Sequence, residues 1–343
     1  MNKHLVFYFL LIFFLSLNQA IAQSTYSVGY LEGGSYWIFD KTMDAVKTAL
    51  KEKTLDKKII FKQNARFSPG WENKMAWDAK AKILMSRKDL DLIITAGTDA
   101  TRSILKYNNQ RTPILALAVS DPIGSGFVLN EKDSGIENFT VRIVPNRFER
   151  MFRIFHEVVQ FQKLGLLYPD TKSGKKYTNL DAARKVAKEK NFKLIEYKLD
   201  KENPNACMQG LQKLVDQGMD AFFIPSLLCF DWSKNDVSNI LTFLRNNKIP
   251  TFARNGSSYV KGGALMGFST IDFSERGNFL ADKIERILIN KISPRKLPMV
   301  DQAVPKISFN LKVAIDIEFD PPFDILSATD ELYNEIINPE IKE

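Results

Sequence analysis

Histidine and cysteine are nearly absent from this chain of 343 residues: it has two of each, and of the histidines only His156 lies beyond the first few positions. Two cysteines cannot build a multi-cysteine metal centre, and one histidine is a poor basis for a zinc site or a Ser-His-Asp relay. His156 sits in RFERMFRIFHEVVQF, where Phe148, Phe152, Phe155 and Val159 mark one helical face, so it reads as a surface or half-buried helical residue. The glycine-rich phosphate loop ending in Lys-Ser/Thr, the G-x-S-x-G nucleophile turn and the G-x-G-x-x-G dinucleotide fingerprint are also missing. An exported α/β enzyme would therefore have to rely on paired carboxylates. No basic stripe interleaved with aromatics points to nucleic acid, and no cofactor is implied. No apolar run long enough to span a bilayer follows residue 17.

What is present begins with a targeting segment. Lys3 and His4 give a basic start, 5–17 is apolar, and Ala20-Ile21-Ala22 has the small-x-small pattern of a cleavage site. Thirteen helical residues reach about 20 Å, short of a bilayer core of about 30 Å. The segment reads as a cleaved secretory signal, 1–22, with an uncleaved anchor as the other reading. The mature protein is expected to be soluble, monomeric and periplasmic. Removing Lys3 takes the formal charge from +8 to +7, spread over mixed runs such as KEKTLDKK that suit a solvated surface. In an exported chain Cys207 and Cys229 are either a disulfide or two buried thiols. Cys207 starts a helix and Cys229 follows the next strand, so both fall at the carboxyl edge of one sheet.

Beyond the signal, strands alternate with helices. Strands are expected at 27–31, 58–63, 91–95 and 113–119, with helices near 36–52, 71–86 and 98–107. The plan restarts with strands at 163–168, 192–198, 220–224 and 250–253 and helices near 175–190, 206–217 and 235–246. VGY at 28 matches LGL at 164, DLIITAGTDA at 91 matches DAFFIPSLLC at 220, and TPILALAVSD at 112 matches IPTFARNGS at 249, with offsets of 136, 129 and 137. Such alternation predicts an α/β fold of two Rossmann-like lobes, each a parallel sheet covered on both faces. Sheets of this kind bind ligands at the carboxyl ends of their strands. EGGSYW, TAGTDA, VSDP, YPDTKSG and ARNGS each follow a strand and are rich in Gly, Ser, Thr, Asp or Asn. They are helix caps, anion sites, or both. In VGYLEGGSYWIFDK, Gly33, Gly34 and Ser35 form the turn, and of Tyr36 and Trp37 only one can face the cleft.

The order and spacing of DLIITAGTDAT, TPILALAVSDPIGSGFV, KGGALMGFSTIDFSERG, PKISFNLKVA and ATDELY resemble the substrate-binding proteins of ABC importers, specifically the family with tryptophan- and tyrosine-binding members. The resemblance spans nearly the whole mature chain. It implies a type I periplasmic-binding-protein fold whose hinged lobes close on a small molecule and deliver it to a membrane permease with a cytoplasmic ATPase. It places one lobe at 23–142 with a returning helix at 272–291, and the other at 143–271 with much of 292–343. Position by position, Gly97 and Thr98 match the helix-start pair after the third strand, suited to a ligand carboxylate, and Ser120 and Asp121 match the pair before Pro122. Asp121 suits an ammonium or hydroxyl, or is only a turn residue. Arg254 and Asn255 offer a second carboxylate site or a surface or hinge ion pair. Tyr168 adds an apolar wall, with Asp170 and Ser226 in the facing turns. The second-lobe turns YPDTKSGKKY and PSLLCFDW depart from the family pattern. The ligand class stays open between an amino acid or related carboxylate and a sugar or nucleoside, and the role between transport and sensing. The leader makes one expectation directly measurable: mass spectrometry of the exported protein gives an N-terminus near Gln23, and a mature chain retaining 1–22 refutes the cleavage.

Overall fold

The computed structural model describes residues 25–338 apart from 72, 270–272 and 303–305, so the expected leader and its cleavage point lie outside the described residues. The chain alternates as anticipated. The first lobe contains β1 (Tyr26–Glu32), α1 (Trp37–Glu52), β2 (Ile59–Phe67), α2 (Lys74–Ser86), β3 (Leu92–Ala96), α3 (Thr98–Lys106), β4 (Ile114–Leu117) and β5 (Phe139–Val141). Its sheet is wholly parallel in the order β2-β1-β3-β4-β5. The second lobe contains α4 (Arg147–Val159), β6 (Lys163–Pro169), α5 (Lys172–Tyr177), α6 (Leu180–Lys190), β7 (Lys193–Leu199), α7 (Pro204–Asp216), β8 (Ala221–Ile224), α8 (Val237–Asn246), β9 (Thr251–Ala253), α9 (Gly256–Lys261) and β10 (Met266–Phe268). Then come α10 (Ser274–Leu288), β11 (Ile307–Asn310), α11 (Leu311–Asp316), α12 (Phe323–Ser327) and β12 (Glu331–Tyr333).

The second sheet runs β12-β11-β10-β9-β8-β6-β7, so β7-β6-β8-β9-β10 repeats the order of the first sheet. Only β10 and β11 pair antiparallel among the described residues. One shared device underlies the matching segments. Asp91 accepts from the Ser27 N–H at 2.7 Å, and Asp220 accepts from the Lys163 N–H at 2.7 Å. In each lobe an aspartate opening the third strand ties down the start of the first.

Each sheet is buried on both faces, as β3 with five buried residues shows. On α1, Ile38, Met43, Val46, Ala49 and Leu50 recur at helical spacing and bury against β1, β3 and α10. The α1–α10 contact is close because Gly277 sits on the Ala45 carbonyl, where an added Cβ would lie 2.6 Å from that oxygen. The helix that follows β10 of the second lobe thus returns to the core of the first.

Several boundaries differ from expectation for local reasons. The helix expected over 175–190 is two helices, because Asn179 takes a left-handed φ of 64° and the Thr178 hydroxyl closes back on the Gly174 carbonyl. The helix expected from 71 starts at Lys74, where the Asn73 side chain accepts from the Ala76 N–H. β2 runs to Phe67 through a register shift against β1. β4 ends at Leu117 because Ala118 has a φ of 53°. The short strands β5, β10, β11 and β12 were not anticipated, having three or four residues each.

Cys207 and Cys229 are bonded, with their Cα atoms 6.5 Å apart and a sequence separation of 22. The bridge pins the start of α7 to the turn after β8. Closing a loop of that length stabilises by about 3 kcal/mol in the chain-entropy account. Replacing both cysteines by alanine should lower the unfolding free energy by about that amount in urea titration, and the native protein should show no free thiol when denatured without reductant.

Candidate functional site

The two lobes face each other across a cleft of about 1290 Å³ at the carboxyl edges of both sheets. Its first-lobe wall includes Gly97, Thr98 and Asp99 at the start of α3 and Ser120 and Asp121 after β4. Its second-lobe wall includes Ser173 and Tyr177 on α5, Ser226 after β8, and Arg254 and Asn255 after β9. Arg147 and Arg276 enter where the chain passes between lobes.

Arg254 dominates this arrangement. It is 8% exposed, and burial pulls its pKa down to about 10, which leaves it cationic at neutral pH. One guanidinium nitrogen donates to the Ser120 hydroxyl of the opposite lobe at 2.9 Å, another to the Tyr177 carbonyl, and the plane lies 4.7 Å from the Phe148 ring. Its Nε has no partner, and Arg254 forms no ion pair with a described residue. A buried cation without a counter-charge is costly unless a ligand supplies one.

The α3 N-terminus lies on the facing wall. Gly97 caps it with a φ of 84°, and the Thr101 N–H is the first to bond back, to the Gly97 carbonyl. The amides of Thr98, Asp99 and Ala100 therefore meet the cleft without an intrahelical acceptor. Thr98 is buried at the wall.

Several expected site residues are placed elsewhere. Gly33 and Gly34 are roofed by Trp71: a Cβ on Gly34 would lie 2.7 Å from its indole, and Trp77 donates to the Gly33 carbonyl at 2.8 Å. The double glycine lets an indole lie on the backbone, and it is not an open anion cradle. Only Gly33 of the pair lines the cleft. Ser35 is exposed outside it, and its carbonyl accepts from Lys234 at 2.7 Å. Of the two aromatics, Tyr36 faces the cleft, buried, with its pKa raised by burial. Trp37 points away and packs 6.4 Å from Tyr259 of the second lobe. Tyr168 is not a cleft wall: β6 aims it into the second-lobe core with Phe152 and Leu180.

Asp121 lines the cleft, but its carboxylate accepts from the Gly124 N–H at 2.8 Å and pairs with Lys176 of the other lobe at 3.4 Å. The turn reading describes it better than an ammonium site. Asp170 lies at the rim, paired with Lys175 at 2.6 Å and Lys198 at 2.9 Å. Ser226 accepts from Asn255 at 3.0 Å, which fixes both side chains along the second-lobe wall.

Sequence reasoning did not find Arg147, Arg276, Phe148, Trp71 or the Asp99–Ser173 hydrogen bond between lobes. Burial raises the Asp99 pKa. The run PNRFER carried one usable signal, a basic and aromatic pair opening the helical face that Phe148, Phe152 and Phe155 mark.

Two α/β lobes with mostly parallel sheets facing each other across a cleft at their carboxyl edges, with the chain passing between them more than once, make a type I periplasmic-binding-protein fold. A sequence profile described as ABC transporter substrate binding protein matches residues 35–332, and the chain belongs to that family. Membership makes it the substrate-binding component of an ABC transporter, which implies a small-molecule ligand and a permease and ATPase as partners. The crystal structure of an ABC domain in complex with L-Trp from Streptococcus pneumonia superposes with a TM-score of 0.74 at 18% identity, covering 90% of this chain and 100% of the other. A conserved domain protein from Vibrio cholerae gives 0.74 at 18%, with the same coverage. A ligand-free, open substrate-binding protein with adhesive properties from Clostridium difficile gives 0.62 at 20%, covering 91% and 100%. No curated protein matches. Among the described residues no helix is long and apolar enough to cross a membrane.

Gly97 offers a direct check of the site's framework. An added Cβ would meet the Phe39 ring at 2.8 Å and force a non-glycine residue to a φ of 84°. Gly97→Ala should cost roughly 1–3 kcal/mol in chemical denaturation and weaken ligand binding by displacing the α3 start.

Proposed function

We propose that this chain is the periplasmic capture component of an ABC importer, and that it encloses a small carboxylate-bearing ligand, an amino acid or related compound, by hinge closure. The supporting observation is Arg254, a buried guanidinium without a counter-ion that touches both lobes. The free amides at the α3 start face it and favour negative charge as well. A ligand carboxylate placed there would replace the missing counter-charge and couple binding to closure. In this reading 23–142 with 272–291 moves as one body and 143–271 with much of 292–343 as the other. The protein acts as a monomer without turnover, exported through a cleaved leader.

Contacts across the cleft support closure as the working motion. Lys176 pairs with Asp121, Ser173 donates to Asp99, and Lys234 donates to the Ser35 carbonyl at 2.7 Å. A receptor-linked sensor would use the same cleft and the same motion, and a gene neighbourhood with permease and ATPase separates the two roles.

Calorimetry against amino acids, small carboxylates, sugars and nucleosides tests the ligand class. A carboxylate should bind best, and the radius of gyration should fall at saturation. Arg254→Met should weaken that ligand by roughly a hundredfold, the scale of one charge-assisted pair. A best ligand that is a neutral sugar, or an unchanged affinity in a folded Arg254→Met, sinks the assignment.

A further inference from the structure

The cleft holds more positive charge than one carboxylate needs. Arg147 and Arg254 approach the same Phe148 ring, at 5.9 and 4.7 Å from its centroid. Arg276 lines the same cavity from the start of α10, donating to Thr42 at 3.3 Å, and Arg142 completes the group. Among the described residues one carboxylate pairs with any of the four: Asp301, which accepts from Arg142 at 2.5 Å. Of the acids elsewhere on the wall, Asp78 is engaged by Lys74 and Lys106, Asp121 by Lys176 and Glu149 by Lys185, while Asp99 accepts from Ser173 and Glu202 from Tyr177 and the Leu228 N–H. The charges facing Arg147 are other guanidiniums, and with burial they pull its pKa well down. Burial likewise pulls Arg276 down to about 9. Among the described residues these four guanidiniums share the one ion-paired carboxylate, Asp301, which also acts on Arg276, and a zwitterion with a single carboxylate would leave much of the repulsion between them in place.

We propose that the cleft is built for a small dicarboxylate, one carboxylate held by Arg254 and the other by Arg147 and Arg276. This rests on the anion-capture reading above and narrows its substrate class. Guanidinium forks match carboxylates bidentately, and several such donors around one cavity favour two anionic groups over one.

The test is calorimetry on the full mature protein, freed of co-purified ligand by unfolding and refolding. The probes are succinate, glutarate, butyrate, L-tryptophan and inorganic phosphate. Succinate or glutarate should bind at least tenfold tighter than butyrate or tryptophan. Arg147→Gln should lose at least tenfold for the dicarboxylate and under threefold for butyrate. Butyrate or tryptophan binding as tightly as either dicarboxylate overturns this inference and leaves carboxylate capture standing. Phosphate binding tightest overturns the dicarboxylate assignment. A protein that binds no anion overturns both readings. If Arg147→Gln does not fold, the native protein decides: affinity should fall more steeply with salt for the dicarboxylate than for butyrate, and equal slopes overturn the inference.

Discussion

Arg254 is the constraint around which the site is organised. Its backbone N–H bonds the Ile224 carbonyl at 3.2 Å, so the guanidinium is presented from the end of a parallel strand and not from a mobile loop. Its side chain then needs three things at once: Ser120 from the other lobe, the Tyr177 carbonyl at the end of α5, and the Phe148 ring at the start of α4. The split of the expected helix at Asn179 serves this geometry. Because α5 stops at Tyr177, the carbonyl of that residue is among those no later turn claims. Opening the lobes would take Ser120 away and leave the guanidinium to water, so the charge of Arg254 and the position of the lobes are linked.

The crossing segments set how that linkage operates. Ile143 pairs with Val300 in parallel, its N–H bonding the Met299 carbonyl and its carbonyl taking the Asp301 N–H, each at 2.8 Å. Arg142 and Asp301 flank that ladder with an ion pair. Two chain passes are thereby held side by side, and on the proposed closure mechanism they restrict the lobes to bending about one line. The remaining contacts between lobes are the packing of Trp37 on Tyr259, single hydrogen bonds, and partly exposed ion pairs worth about 0–1 kcal/mol each. On the proposed closure mechanism, the polar contacts alone bias the closed form only weakly, and ligand binding has room to add to them.

The architecture was legible because it rests on patterns the sequence displays directly. The buried runs around Leu92 and Phe222 are continuous apolar strands, and Asp91 and Asp220 mark equivalent points in the two lobes. The short strands were not legible, since three residues such as Met266-Gly267-Phe268 carry no period. Within the site, strand-end residues were found: Gly97, Thr98, Ser120, Arg254 and Asn255 all reach the cleft. The failures share a cause. Gly33–Gly34 has the composition of an anion turn, but Trp71 from far along the chain covers it. Tyr168 lies at a strand end, yet strand alternation turns it inward while Pro169 and Asp170 reach the cleft. Arg147 and Arg276 sit at lobe crossings, where neither strand nor helix period announces which way a side chain points.

This division between legible wall and illegible crossing has a physical consequence for specificity. The strand-end residues supply hydroxyls, amides and one guanidinium, groups compatible with many polar ligands. The crossing residues Arg147 and Arg276 supply positive charge where the lobes meet, and among the described residues neither forms an ion pair with a carboxylate within 4 Å. A cationic ligand would meet like charges there on closure, and a neutral one would leave them buried and unpaired, so both are disfavoured in the closed form irrespective of how well they fit the walls. On the dicarboxylate proposal, selection by charge falls on the hinge-proximal arginines and selection by shape on Tyr36, Phe148 and the turns after the strands. A change of ligand class within this framework would require substitutions at the crossings, whereas a change of size within one class would require only the turns.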